Sequence, residues 1–450
     1  MVLEMPAARV PAGPDARDVR QALARHVLTD GYDLVLDLEA SAGPWLVDAV
    51  TGTRYLDLFS FFASAPLGIN PSCIVDDPAF VGELAAAAVN KPSNPDVYTV
   101  PYAKFVTTFA RVLGDPLLPH LFFVDGGALA VENALKAAFD WKAQKLGLDD
   151  RAVNRLQVLH LERSFHGRSG YTMSLTNTDP SKTARYPKFD WPRIPAPALE
   201  HPLTTHAEAN REAERRALEA AEEAFRAADG MIACFLAEPI QGEGGDNHFS
   251  AEFLQAMQDL CHRHDALFVL DEVQSGCGLT GTAWAYQQLG LRPDLVAFGK
   301  KTQVCGVMGG GRIGEVESNV FAVSSRISST WGGNLADMVR ATRVLETIER
   351  TDLLDSVVQR GKYLRDGLEA LAERHPGVVT NARGRGLMCA VDLPDTEQRD
   401  AVLRRMYTGH QVIALPCGTR GLRFRPPLTI TESELDQGLE ALAASLAPRG

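Results

Sequence analysis

Two apolar runs in this chain each end on a single charged group. One, Leu267 to Leu270, runs into Asp271-Glu-Val-Gln274; the other, Leu295 to Phe298, runs into Gly299-Lys300-Lys301. Continuous apolar runs of this length read as strands buried on both faces. A charged residue at the end of such a strand lies at the rim of the sheet, where α/β proteins place their chemistry. A lysine that can form a Schiff base and an aspartate that can hold a protonated pyridine nitrogen are the two fixtures a pyridoxal phosphate (PLP) site needs. Taken singly, each is better explained as a solvated charge at a strand end. The pair gains weight from the groups around it.

Gly126-Gly127-Ala128 lies between an apolar strand and an alanine-rich helix. Small residues there let backbone N–H groups approach an anion at the positive helix end, and a phosphate is the natural ligand. The G-x-G-x-x-G dinucleotide fingerprint and the Walker loop are both absent, which argues against a nicotinamide enzyme and a P-loop nucleotidase. Phe165-His-Gly-Arg168 follows another strand. Its phenylalanine could cover a flat cofactor ring and its arginine could grip a carboxylate, although a core phenylalanine and a surface arginine are equally ordinary. His166 reads as structural. In Glu238-Pro-Ile-Gln-Gly-Glu243-Gly-Gly245 two carboxylates follow a strand end. They are compatible with a glycosidase pair, a metal site or plain surface charge, and no histidine cluster supports the metal.

These residues need a scaffold, and the pattern supplies one. From about residue 100 onward strands at 121–124, 158–161, 232–237, 267–270 and 295–298 alternate with helices, notably 130–145, 208–228 and 251–264. That order predicts an α/β fold with a mostly parallel sheet covered on both faces. Upstream, a helix is expected over 17–30 and a small antiparallel meander from 34–38, 45–48 and 54–57. Phe59 to Ala63 continues as an apolar run. Residues 177–205, with six prolines, read as a long surface excursion. After Asn334 comes a long helix, then a turn at Arg383-Gly-Arg-Gly386 and a strand at 422–425, suggesting a smaller α+β domain.

The 450 residues are 45% hydrophobic and 23% charged, enough for more than one domain, and the net charge of −12 shows no long blocks of one sign. Nucleic acid is therefore not an expected partner. No apolar stretch is long enough to span a bilayer. The first 15 residues read as a loose arm and lack the apolar core of a signal peptide. Seven scattered cysteines without metal spacing suggest reduced thiols in a cytoplasmic protein.

In this order, Gly-Gly-Ala, Phe-His-Gly-Arg, Glu-Pro-Ile-Gln-Gly-Glu-Gly-Gly, Asp-Glu-Val-Gln, Gly-Lys and Ser-Thr-Trp-Gly-Gly-Asn334 resemble the class III (ω-amino acid) aminotransferases of PLP fold type I. The resemblance runs from about Ala42 into the C-terminal part. It implies an N-terminal segment over 1–75, a large PLP-binding domain over 76–335 and a small domain over 336–450. Gly126-Gly127 in the phosphate turn, Lys-Thr-Gln-Val-Cys-Gly306 after the lysine, the loop Asn90 to Tyr98 and Phe189-Asp-Trp-Pro192 resemble the lysine-specific branch.

The resemblance implies a role for each residue. Lys300 is the Schiff-base lysine and Lys301 a bystander; Asp271 pairs with the pyridinium nitrogen. Gln274 contacts the ring hydroxyl and substrate, Gly127 and Ala128 bind the phosphate, and Phe165 covers the ring. Thr330 reaches the phosphate of a second subunit, so a homodimer is the minimum unit. Arg168 and Arg423 hold substrate carboxylates, Glu243 partners Arg423, and Glu238 supports the site from behind. The implied reaction is ping-pong transfer of the terminal amine of L-lysine to 2-oxoglutarate. The other readings are transfer from ornithine or 4-aminobutyrate, and PLP-dependent racemisation. A non-catalytic binding protein would have no use for the Schiff-base lysine and its aspartate.

Overall fold

Every residue of the strands Ile232–Ala237, Leu267–Asp271 and Leu295–Phe298 is buried, as continuous apolar runs require. The computed structural model describes residues 13–446, so most of the expected N-terminal arm lies outside the described residues. The three strands are the middle of a seven-stranded sheet. Its order is His120–Val124, Cys305–Gly309, Leu295–Phe298, Leu267–Asp271, Ile232–Ala237, Gln157–Leu161 and Arg193–Ile194. Cys305–Gly309 runs antiparallel to both neighbours and every other pairing is parallel.

Side-chain alternation assigns each face its cover. Leu267, Val269, Leu295 and Ala297 pack with Ala130, Ala134, Ala137 and Ala138 of the helix Gly127–Leu146. Phe268, Leu270, Val296 and Phe298 pack into the other core, with Leu254 and Met257 of Ala251–Arg263 and Met338 and Leu345 of Leu335–Arg350. Both faces are therefore apolar and covered. What remains for chemistry is the rim at the carboxyl ends of the parallel strands.

A second, antiparallel sheet takes the order Thr380–Arg385, Met388–Asp392, Gly421–Phe424, Leu415–Cys417. The N-terminal meander Trp45–Val47 and Arg54–Asp57 is joined by Val412–Ile413, which pairs parallel to Arg54–Asp57. The N-terminal segment thus folds with the C-terminal part of the chain.

Three local expectations need correction, and the apolar run after Phe59 takes an unusual form. The helix expected over 17–30 shrinks to a 3₁₀ turn at Ala16–Asp18 and Val19–Ala24, because Leu23, Val27 and Leu28 stay exposed and bury nothing. The strand at 34–38 is reduced to one bridge, Leu36 to Asp48. Arg383 to Arg385 belongs to a strand, with the turn falling at Gly386 (φ 51°). Ser60 to Ala63 is neither strand nor ordinary helix: all four residues have φ between 38° and 66°. All seven cysteines are free. Among the described residues no helix is long and apolar enough to cross a membrane.

A buried charge pair ties the second sheet to the hairpin loop that follows Ile232–Ala237. Arg425, just beyond Gly421–Phe424, grips both oxygens of Asp246 at 2.8 and 2.5 Å, and both side chains are 0% exposed. Asp246→Ala leaves that guanidinium buried and uncompensated, and is expected to cost about 3–5 kcal/mol of unfolding free energy. Asp246→Leu combined with Arg425→Met removes both charges and should recover most of it. Denaturant unfolding of the wild type and the two variants measures this; a loss below about 1 kcal/mol in Asp246→Ala would contradict it.

Candidate active site

Four of the parallel strands deliver polar groups at their carboxyl ends. Asp271 ends Leu267–Asp271, Glu238 follows Ile232–Ala237, Lys300 follows Leu295–Phe298, and Gly127 opens a helix just after His120–Val124. These residues line one cavity of about 580 Å³, with Ala128, Phe165, Arg168, Glu243 and Gln274. Arg423 lies behind it on Gly421–Phe424 and reaches the site through Glu243 and Gln274. Thr330 is exposed and does not line the cavity.

Asp271 is 5% exposed. One of its oxygens accepts the Val273 N–H at 3.0 Å and the other lies 2.8 Å from His166 Nδ1. His166 is thus the residue that orients the key carboxylate, which the sequence reading assigned to general structure. An aromatic–histidine–glycine run carries no sign of which carboxylate its ring will meet.

The two adjacent lysines are separated by their surroundings. Lys301 is committed: its amine donates to the carbonyls of Gln274 at 2.8 Å and Ala63 at 3.3 Å. Lys300 lines the cavity, with its backbone in the left-handed region (φ 52°) after Gly299. Burial pulls the Lys300 amine down to about 8, against the opposing charge of Asp271. The shift enlarges the neutral fraction near neutral pH, the form in which an amine can act as a nucleophile.

The helix Gly127–Leu146 begins with no side-chain cap and no acid in its first turn. Its free N–H groups therefore face the cavity end as an anion cradle. A Cβ at Gly127 would come within 3.0 Å of Val273, so the close approach depends on glycine. Glu238 accepts the N–H groups of Phe165 at 3.0 Å and Gly242 at 2.9 Å, fixing the aromatic wall to the Glu243 loop. Burial, reinforced by Asp271, pushes this carboxyl up to about 7 despite the charge of His166 and both donors.

Glu243 Oε2 lies 2.7 Å from Arg423, and its Oε1 lies 2.6 Å from Lys182. Burial alone would raise this carboxyl; the charge of Arg423 and the hydrogen bond and charge of Lys182 overcome it and hold it at about 2. The glycines beside Glu243 are closely packed. A Cβ on Gly242 would meet Gln274 Oε1 at 2.3 Å, and one on Gly244 the Arg163 carbonyl at 1.9 Å. They permit close packing, and any motion belongs to the Glu243 side chain. Gln274 Oε1 accepts from Arg425 Nε at 3.1 Å and Nη2 at 2.9 Å and from Arg423 at 3.3 Å, which leaves its amide N–H₂ for the cavity. Lys182 was missed by the sequence reading. It stands in the proline-rich excursion, which folds back to the site. An Asp-capped Pro-Ser-Lys turn gives no sequence signal of that return.

The arrangement gathers an available amine, a buried carboxylate for a cationic ring, an anion cradle and a covered arginine around one cavity. Residues 28–446 match the family model "Aminotransferase class-III". The chain is 82% identical to an L-lysine-epsilon aminotransferase of Streptomyces clavuligerus, over 96% of this chain and 94% of that protein. It is 60% identical to an L-lysine-epsilon aminotransferase of Mycobacterium bovis, over 97% and 96%. The solved lysine aminotransferase of M. tuberculosis in the internal aldimine form superposes with a TM-score of 0.93 at 59% identity, covering 96% of this chain and 99% of that one. The chain belongs to the class-III aminotransferases.

Proposed function

We propose that this protein moves the terminal amine of L-lysine to 2-oxoglutarate, giving 2-aminoadipate 6-semialdehyde and L-glutamate in two half-reactions at one PLP site. The observation that carries the reading is the Glu243–Arg423 pair, 2.7 Å apart, bordering the cavity of Lys300 and Asp271. The substrate named for relatives at 82% and 60% identity points the same way.

PLP, when bound, supplies a carbonyl for the incoming amine and a ring that accepts electrons. The chain supplies the rest. Asp271, oriented by His166, is the partner for a protonated ring nitrogen, and Phe165 is the wall over the ring. Gly127 and Ala128 offer N–H groups to the phosphate, and Gln274 its free amide to the ring hydroxyl. Lys300 takes the proton from the terminal carbon of lysine, acting as general base and then acid. Arg168 is exposed at the cavity wall and has no ion-pair partner among the described residues, which suits it to the carboxylate remote from the reacting carbon in both substrates.

The two substrates differ at the reacting end. 2-Oxoglutarate carries a carboxylate beside its carbonyl, and lysine carries only hydrogens there. An uncovered Arg423 would serve the first and would also draw lysine in backwards, by its α-carboxylate. Glu243 on Arg423 removes that attraction during the lysine half-reaction, and a swing of its side chain restores it for 2-oxoglutarate.

In this reading residues 76–335 form the cofactor-binding unit, and 336–450 with the N-terminal 1–75 form the unit that carries Arg423. The exposure of Thr330 supports a homodimer in which it meets the partner's phosphate. Seven free cysteines support a cytoplasmic setting.

Three measurements test the proposal. Single-turnover spectra of Glu243→Ala should show a slowed lysine half-reaction, increased α-amine transfer, and a 2-oxoglutarate half-reaction as fast as before or faster. Arg423→Ala should lose mainly 2-oxoglutarate. Equal losses in both halves of Glu243→Ala, with no change in which amine is transferred, would defeat the reading. Arg168→Leu should raise the half-saturating concentrations of both substrates by roughly ten- to a hundredfold, the weight of a charge-assisted contact; unchanged kinetics for either substrate would exclude it from that role. Finally, protein stripped of cofactor should capture PLP covalently at a rate that rises with pH through a midpoint of about 8, the value at which burial leaves Lys300 half neutral. Absorbance measurements across pH follow this, and a midpoint near the ordinary 10.5 of a lysine would contradict it.

A further inference from the structure

We infer that Lys182 is a positioning residue that keeps hold of the Glu243 carboxylate when that carboxylate leaves Arg423. The inference rests on the reading of Glu243 as a movable cover, and assigns the cover its second anchor.

Lys182 closes the short turn Pro180–Lys182, which is capped by Asp179 accepting the Ser181 N–H at 2.8 Å. Its amine lies 2.6 Å from Glu243 Oε1, while Arg423 holds Oε2 at 2.7 Å, so each oxygen has its own cation. The same amine sits 5.3 Å from the centroid of the Phe165 ring, over the aromatic wall of the cavity. The two anchors are unequal. Arg423 is 1% exposed and further held by Gln274, whereas Lys182 is 20% exposed and carries a point charge on a flexible stem. One anchor is fixed and the other can follow.

A second anchor is what the cover requires. Glu243 is 29% exposed, so its carboxylate is largely withdrawn from water. Displaced from Arg423 with no other partner, it would bear the cost of an uncompensated, partly desolvated charge. The backbone on both sides is closely packed, with Gly242 against Gln274 and Gly244 against the Arg163 carbonyl. With Lys182 present, uncovering Arg423 breaks one ion pair of two. Without Lys182 it breaks the only one. The uncovered state becomes rarer, and a ligand that binds only that state loses apparent affinity in proportion. Lysine binds with the cover closed and is unaffected.

The test uses holoenzyme and follows each half-reaction separately by stopped-flow. Lys182→Met should raise the half-saturating 2-oxoglutarate concentration on the order of tenfold, the scale of a close charge pair. Its saturating rate and the lysine half-reaction should change by less than about twofold, and Lys182→Arg should restore the original behaviour. In a Glu243→Ala background Lys182→Met should have no further effect. Cofactor absorbance and melting temperature confirm that each variant is intact. Equal losses for both substrates would instead mean that Lys182 binds the carboxylate they share, and would overturn the inference. So would an unchanged 2-oxoglutarate response, or the same loss with Glu243 already removed. If Glu243→Ala discriminates between the halves while Lys182→Met does not, the Lys182 inference alone fails. If Glu243→Ala does not discriminate, the cover reading fails and takes the inference with it.

Discussion

A carboxylate buried at the end of a strand has to be compensated, and this site is arranged around that constraint. Asp271 is 5% exposed and stands in the middle of a sheet whose faces are both apolar. A backbone N–H and the His166 ring meet its two oxygens; under the proposed function the positive charge of a bound ring supplies the remaining compensation. The same burial lowers Lys300 and raises Glu238. One low-dielectric rim thus eases the lysine toward its neutral form and leaves the buried aspartate in need of a positive partner. It also turns Glu238 from a free charge into a brace that joins Phe165 to the Glu243 loop.

Around that rim the second sheet contributes charge rather than apolar surface. Arg423 and Arg425 are 1% and 0% exposed, on and just beyond the same strand, and both reach Gln274 Oε1. Their compensation is divided. Asp246 engages Arg425 with both oxygens, and one of them also lies 4.0 Å from Arg423. Glu243 takes Arg423 at one oxygen only, and Arg423 Nε has no hydrogen-bond partner among the described residues. A guanidinium satisfied on all sides is structural, whereas one left incompletely satisfied can exchange its partner for a substrate carboxylate. The difference between the two arginines lies in this accounting of donors rather than in their sequence context.

The strands of the large sheet were legible because a strand buried on both faces leaves a run that few other structures produce. Leu267–Asp271 and Leu295–Phe298 announce their ends by the first charge after the run. The residues that line the cavity with Lys300 mostly follow such ends, so motif and scaffold pointed to the same place. What was not legible depends on tertiary return. Lys182 comes back to the site from a segment with no periodicity, and His166 meets Asp271 across 105 residues of sequence. The 17–30 helix failed for the converse reason: its spacing is helical, but nothing stands ready to bury Leu23 and Val27. Periodicity proposes a face, and packing decides whether the face is used.

The apolar run Phe59 to Ala63 shows how far tertiary contacts can override local preference. Four successive L-residues in the left-handed region cost roughly 1–2 kcal/mol each, and such residues normally occur singly. Here the turn is held from three directions. Asp57 accepts the N–H groups of Phe59 at 2.8 Å and Ser60 at 2.6 Å. The Ser60 hydroxyl donates to the Arg425 carbonyl at 2.5 Å. Lys301 donates to the Ala63 carbonyl at 3.3 Å, and Gln303 to that of Ser64 at 2.7 Å. The last two donors belong to the segment that carries Lys300. The strained turn, which brings Ser64 to the cavity wall, is thus tied to the residues beside the reactive amine and to the strand end beside Arg423. Lys301 acquires a purpose in this arrangement. Burial pulls its amine down to about 7, yet two carbonyls fix it in place, so it braces the turn while its neighbour stays available for chemistry.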